Sequence, residues 1–273
     1  MIEMINKLFV LKELLMECGN RIFAFQDVCF WRNDMIVSRR LHGYHVHSRQ
    51  PDDRYLSVFN DFMHGRISIV KVMRSNYKTK VWLIETDWGK FVLKIFVPKQ
   101  KKLERVLKSI FKRNYYVQLI RQINNVRKRG LKAPNDFYLL ATKKTFNYVS
   151  TYIMLVEYIE GTELWNMPEI TDELKQDAKQ LIDELHQHDM ISGDTNGGNF
   201  FVTEQGLRII DLSGKSCNFI RRAEDRIDLE KRLGIKNTQK DLGYYIVTWR
   251  TNIRAYLKEF RMRLKSRANG VSH

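Results

Sequence analysis

The period of the hydrophobic positions changes repeatedly along the chain. Over residues 1 to about 26, Ile5, Leu8, Phe9, Leu11, Leu15 and Ile22 recur at mixed spacings of three and four, which predicts one amphipathic helix broken near Gly19. Residues 32–55 are polar, rich in Arg and His and without a clear period, and are expected to form a loop or join. From Ile67 the texture becomes short β-rich runs: ISIVKVM (67–73), KVWLIET (80–86) and KFVLKIFV (90–97), the last two separated by Asp87, Trp88 and Gly89. Turn residues between β-branched and aromatic runs predict an antiparallel meander. A basic helical stretch follows from about Lys101 to Arg129, read as two pieces and closed by Gly130 and Pro134. FYLLAT (137–142) and YIMLVEY (152–158) predict two more strands. The expected order is five strands with one helix inserted after the third.

Beyond Gly161 the pattern turns helical. Thr171 is placed to cap a helix whose Leu174, Ala178, Leu181, Ile182 and Leu185 recur at three and four. That helix leads into ISGDTNGGN (191–199), then a short hairpin of NFFVT and LRIID around Glu204, Gln205 and Gly206, then a basic helical remainder. No internal repeat or low-complexity tract is visible.

Composition narrows this picture mainly through charge. With 273 residues, 44% hydrophobic and 29% charged, the chain can bury a core as one large domain or two lobes, and only 4 prolines argue against long linkers. The 47 Lys and Arg against 31 Asp and Glu give +16, which points to a polyanionic partner: nucleic acid, phosphorylated sugar or an anionic membrane face. Cys18, Cys29 and Cys217 show neither CxxC spacing nor the density of a disulfide scaffold, so a reducing cytoplasm is the expected compartment. Glu3, Lys7, Lys12, Glu13 and Glu17 interrupt the N-terminal apolar positions, which denies them a signal-peptide core. No run reaches the roughly 18 apolar residues of a membrane-spanning helix, so any membrane contact is expected to be peripheral.

The candidate chemistry lies in the glycine-rich loop. Asp194 and Asn199 stand five apart in GDTNGGN, between a helix and a hairpin, and Asp211 ends the hairpin's second strand. Phosphoryl transfer needs a carboxylate to orient the attacking hydroxyl and accept its proton, and oxygen ligands for Mg²⁺. Asp194 suits the first task, Asn199 and Asp211 the second, since magnesium takes few protein oxygens and fills its shell with phosphate and water. Lys94, charged and mid-strand in FVLKIF, needs a partner, and Glu104 is the only acidic residue between it and Asp136; a Lys94–Glu104 ion pair holding the lysine on ATP phosphates is expected. MRSNYKTK (73–80) lies where a phosphate-covering loop belongs but lacks glycine, leaving Ser75, Asn76, Lys78 and Lys80 to touch phosphate. Backbone groups at Glu157, Tyr158 and Ile159, before Gly161, are positioned to meet adenine. His186, eight residues before Asp194, is read as a packing or capping residue.

GDTNGGN with IIDLSGKS, FVLKIF, NDFYLL, YIMLVEYIEG and KDLGYY together resemble the lipopolysaccharide core heptose(II) kinases of enteric bacteria, over roughly residues 54–265. The resemblance implies an α+β, two-lobed protein-kinase-like fold: a 1–53 extension, a 54–158 N-lobe with a five-stranded antiparallel sheet and one helix, and a mainly helical 159–273 C-lobe. It also implies ATP with Mg²⁺, and transfer to a heptose hydroxyl of lipid-linked core sugar at the cytoplasmic face of the inner membrane, without nucleic acid. Asp194 becomes the catalytic base, Asn199 and Asp211 the metal ligands and Lys94 the phosphate anchor, while Asp241 of KDLGYY resembles a buried aspartate bracing the catalytic loop. The family's loop usually reads GDPHRGN, whereas Thr195, Asn196 and Gly197 stand here in place of Pro, His and Arg. Two other readings stay open. One is a polyanion-binding, RNA-associated protein with a relict site, against which the retention of all four key residues argues. The other is a protein kinase, against which the short segment after Asp211, with no APE-like anchor, argues.

Overall fold

The computed structural model describes residues 36–49, 53–97, 115–145 and 148–269; the expected helix over 1–26, Cys18, Cys29, Glu104 and the first part of the helix expected from Lys101 lie outside the described residues. The described chain begins with a hairpin, β1 (Ile36–Leu41) and β2 (Tyr44–Arg49), turned at His42 and Gly43, which both take positive φ. This stretch was expected to be a loop. Its strands carry polar residues at most positions, and only Val46 and Ser48 of β2 are buried, so no period-two signal reaches the sequence. Helix α1 (Arg54–Met63) follows.

The strands read from the β-rich runs come next: β3 (Ser68–Ser75), β4 (Thr79–Thr86), β5 (Gly89–Phe96), then helix α2 (Tyr115–Lys128), then β6 (Phe137–Thr145) and β7 (Tyr148–Glu157). All pair antiparallel in the order β1-β2-β6-β7-β5-β4-β3. The sheet thus has seven strands rather than the expected five, because β2 adds to the free edge of β6 through pairs such as Val46 with Ala141. One face packs on α1: Val58 and Phe59 join Val46, Ile84, Phe91, Leu93, Leu139, Ala141, Ile153 and Leu155 in one cluster. Alternation then assigns Lys94, between Leu93 and Ile95 of that cluster, to the opposite face.

The remainder is built around α3 (Asp172–Gln187). Thr171 caps it as expected, its hydroxyl accepting from the Leu174 N–H at 3.3 Å, and Ala178, Leu181, Ile182 and Leu185 form its buried face. Strands β8 (Thr162–Glu163), β9 (Phe200–Thr203) and β10 (Gly206–Ile209) make a second, three-stranded antiparallel sheet. Helices α4 (Phe219–Leu233) and α5 (Leu242–Asn269) complete the described chain. The fold is α+β. The segment before β6 is laced to β10: Asn135 N–H donates to the Ile209 carbonyl and Ile209 N–H to that of Ala133, each at 3.0 Å. No helix among the described residues is long and apolar enough to cross a membrane.

Candidate active site

A buried carboxylate organises the glycine-rich loop. Asp225, on α4 and 2% exposed, accepts the backbone N–H groups of Ser192 at 2.9 Å and Gly193 at 2.8 Å, and its Oδ2 lies 3.1 Å from His186 Nε2. A buried carboxylate needs this many partners to offset lost hydration. Asp225, not Asp241, is therefore the aspartate that braces the loop. Asp241 is half exposed, ion-pairs with Arg226 at 2.5 Å and accepts the Tyr244 N–H at the start of α5. His186 has the packing role expected of it.

The next residue is fixed as firmly. Thr195 is fully buried, its hydroxyl 3.2 Å from Asp228 Oδ2 and 3.4 Å from the Asp225 carbonyl, with its N–H also directed at Asp228. A proline here, as in the family pattern, has no N–H to give. Asn196 folds the following turn, its side chain accepting from Gly198 N–H at 2.9 Å and donating to Asp194 Oδ2 at 3.1 Å. At Gly197 an added Cβ would lie 2.2 Å from Trp165 Cδ1, so the absent side chain is what lets the exposed indole rest on the loop.

Asp194 itself stays half exposed, with Arg232 Nη2 3.6 Å from its Oδ1. Asn199 donates its Nδ2 to the Asp194 carbonyl at 2.9 Å, which leaves its Oδ1 as the acceptor end. Asp211 follows β10 in the left-handed region, with φ of 58°, an uncommon conformation that for a non-glycine residue often marks a site. Its carboxylate contacts Lys94 Nζ, joining β5 to the loop across 117 residues of sequence. The expected partner Glu104 lies outside the described residues, and α2 carries no acidic residue. Instead α2 contributes Tyr116, whose phenol is pushed above its ordinary pKa by burial and then by the neighbouring Asp211 charge. Gly214 lets this segment approach α2, since a Cβ there would meet the Tyr115 carbonyl at 1.9 Å.

On the nucleotide side, two side chains already have partners within the protein. Asn76 spends its side-chain oxygen inside the β3–β4 turn, accepting from Lys78 and Thr79 N–H at 3.0 and 2.7 Å. Glu157 gives both oxygens to Arg208, at 2.8 and 2.7 Å, and accepts the Asp136 N–H at 2.8 Å. Burial alone would raise its pKa, but Arg208, the Asp136 N–H and Arg127 together hold it below the usual value. Arg127 and Arg49 reach Asp136 at 3.2 and 2.6 Å, so three arginines and two carboxylates tie β2, α2, β7 and β10 together. Ile159 is buried just beyond.

Beside Asp194 a cavity of about 450 Å³ opens between the loop and α4, lined by Lys215, Arg221, Lys231 and Arg232. Lys215 and Lys231 are exposed there without a carboxylate partner among the described residues. Asp225, Tyr116 and Trp165 are the site residues that sequence reasoning did not single out, whereas these cations fall in the basic stretch 215–236, where Arg and Lys were expected to hold the phosphorylated core or a lipid surface.

Residues 35–265 match the family described as lipopolysaccharide core biosynthesis protein (WaaY). Two relatives, from Escherichia coli strain K12 and from Escherichia coli, are each named lipopolysaccharide core heptose(II) kinase WaaY. They are 48% and 46% identical to this chain over 227 residues, covering 83% of it and 98% and 99% of themselves. Among solved structures, the kinase domain of Mycobacterium tuberculosis PknI aligns with a TM-score of 0.39 at 13% identity, over 60% of this chain and 70% of that one.

Proposed function

The chain belongs to the lipopolysaccharide core biosynthesis protein (WaaY) family, and we propose that it phosphorylates heptose II of the lipopolysaccharide inner core with ATP as donor. The observation that carries the proposal is the contact of Lys94 with Asp211, beside a loop presenting Asp194 and Asn199. In this reading the fold is two-lobed and kinase-like, with the nucleotide between a sheet-built lobe and a helical one. Lys94 anchors the phosphates, and backbone around Glu157 and Ile159 meets adenine.

The donor set fits magnesium. It is all oxygen, one carboxylate and one amide; the Asp211 carboxylate already faces a cation, and the Asn199 amide has its nitrogen committed and its oxygen free of that bond. When bound, Mg²⁺ would offset charge building on the transferred phosphoryl group. Asp194 orients the heptose hydroxyl and accepts its proton, aided by Asn196, which fixes one carboxylate oxygen. The lipid-linked core is the acceptor, met from the cytoplasm.

The test is transfer of labelled γ-phosphate from Mg·ATP to core lipopolysaccharide lacking heptose phosphate, with RNA and protein acceptors alongside. Transfer to the glycolipid alone, lost in Asp194→Ala, is expected. Transfer only to protein, or no ATP binding, overturns the proposal.

A further inference from the structure

We propose that α5 is a membrane-docking element that lays an aromatic stripe on an anionic bilayer. The stripe is Leu242, Tyr245, Trp249, Ile253, Tyr256 and Phe260, spaced three, four, four, three and four residues apart, so all fall on one helical face. Gly243 and Val247, the residues of α5 buried in the body, lie on the opposite face: a Cβ on Gly243 would meet the Phe219 carbonyl at 2.5 Å, and Val247 packs with Ala223 and Ile227 of α4. The stripe therefore points away from the protein. Leu242 is 64% exposed, Tyr245 60%, Trp249 49%, Tyr256 68% and Phe260 50%, and residues 254–260 are exposed on every side. Exposed apolar groups this concentrated mark a surface that meets something apolar.

Charge and side-chain type select the occupant. Over its length α5 holds seven Lys and Arg against one Glu. Two copies laid stripe to stripe would set two helices of net positive charge side by side with no anionic partner, whereas an anionic surface attracts them. Arg250, Arg254 and Lys258 sit on the flank and back of the helix relative to the stripe. Trp and Tyr favour the boundary between headgroups and acyl chains, where the ring is desolvated and its polar atom stays wet. An exposed aromatic face on a strongly cationic helix, with Leu257 and Met262 adding apolar surface off the stripe, suits an element that lies in a membrane interface.

The inference does not depend on the kinase reading, and its test reads lipid binding alone. The full chain is mixed with vesicles of phosphatidylethanolamine with phosphatidylglycerol, or of phosphatidylcholine alone, and the sedimented fraction measured. Binding to the anionic vesicles, weakened by salt and weak on phosphatidylcholine, is expected. Trp249→Ser with Phe260→Ser should abolish it, while Arg250→Ala, on the flank of the stripe, should weaken it by about fivefold and Lys258→Ala, on the back, by less. The far-ultraviolet circular dichroism and urea midpoint of each variant report an intact fold. Three results overturn the proposal: no sedimentation with anionic vesicles, sedimentation indifferent to the Trp249 and Phe260 changes, or a dimer in light scattering that those changes dissolve without any vesicle binding.

Discussion

Two charged regions share the short hairpin β9–β10, one through Arg208 and the other through Asn199 and Asp211 at its ends, and they are built on opposite terms. In the hinge cluster, Arg49, Arg127, Arg208, Asp136 and Glu157 are mutually paired at 2.6 to 3.6 Å, with backbone groups satisfying what remains. In the reactive loop, Asp194 is half exposed and has only the Asn196 amide and a distant Arg232, while Asp211, also half exposed, has Lys94. Partners that are many and buried hold a scaffold; partners that are few and exposed can be exchanged for a ligand's charges. Asp225 and Asp194 show the same contrast at one loop, the buried Asp225 holding Ser192 and Gly193, the two residues just before the half-exposed Asp194.

The sharpest way to test the contrast is to remove one aspartate of each kind. Asp194→Ala should lower kcat by about 10²–10⁴-fold, as loss of a general base does, with the urea midpoint unmoved. Asp225→Ala should lose activity by a different route, because the N–H groups of Ser192 and Gly193 are left buried without acceptors; about 3 kcal/mol of stability should go with it. Equal stability of the two variants in urea unfolding would remove the distinction. Lys94→Met belongs with the first class: it should abolish the rise in Tm that Mg·ATP gives the parent protein, since the lysine's partner is exchangeable.

The hinge predicts stability effects without chemistry. Arg208→Ala should cost about 2 kcal/mol, from charged hydrogen bonds to Glu157, and leave kcat within a few fold. Its pH dependence follows from Glu157. The folded carboxyl titrates below its ordinary value of 4.5, so its contribution is complete above that value and is lost as the pH falls through the lower, folded one. Urea midpoints measured from neutral pH down through the carboxylate range should therefore fall less steeply in Arg208→Ala than in the parent.

The same contrast explains what sequence could tell. Strands β4 to β7 were legible because each is a β-branched or aromatic apolar run bounded by turn residues, with Ile84, Leu93, Leu139 and Ile153 in one core, and Thr171 because a cap acts on its own helix. Asp194, Asn199 and Asp211 could be singled out as candidates because they fall within one short span, at the two ends of the β9–β10 hairpin. Asp225 was not: on α4 it stands among Glu224, Arg226 and Asp228, and nothing local marks it as a buried carboxylate that faces the loop 32 residues back. Asp241 was misassigned for the mirror reason, its local motif being the N-terminal cap of α5. Hairpin β1–β2 was hidden because two buried positions make no period.

The smallest expected effect concerns Trp165, which lies on Gly197 where the family pattern has an arginine. Its indole is half exposed and close to the loop bearing Asp194, yet no step of proton or phosphoryl transfer needs it. An aromatic face of this kind holds a sugar ring by its C–H groups, in ground state and transition state alike. Uniform binding of that sort appears in KM and not in kcat. Trp165→Ala should therefore raise KM for the glycolipid about threefold to tenfold, the usual worth of one aromatic contact, and leave KM for ATP unchanged. Trp165→Phe should restore most of the loss. A drop in kcat with KM constant would instead make Trp165 a strut for the loop, moving it from the exchangeable region to the scaffold.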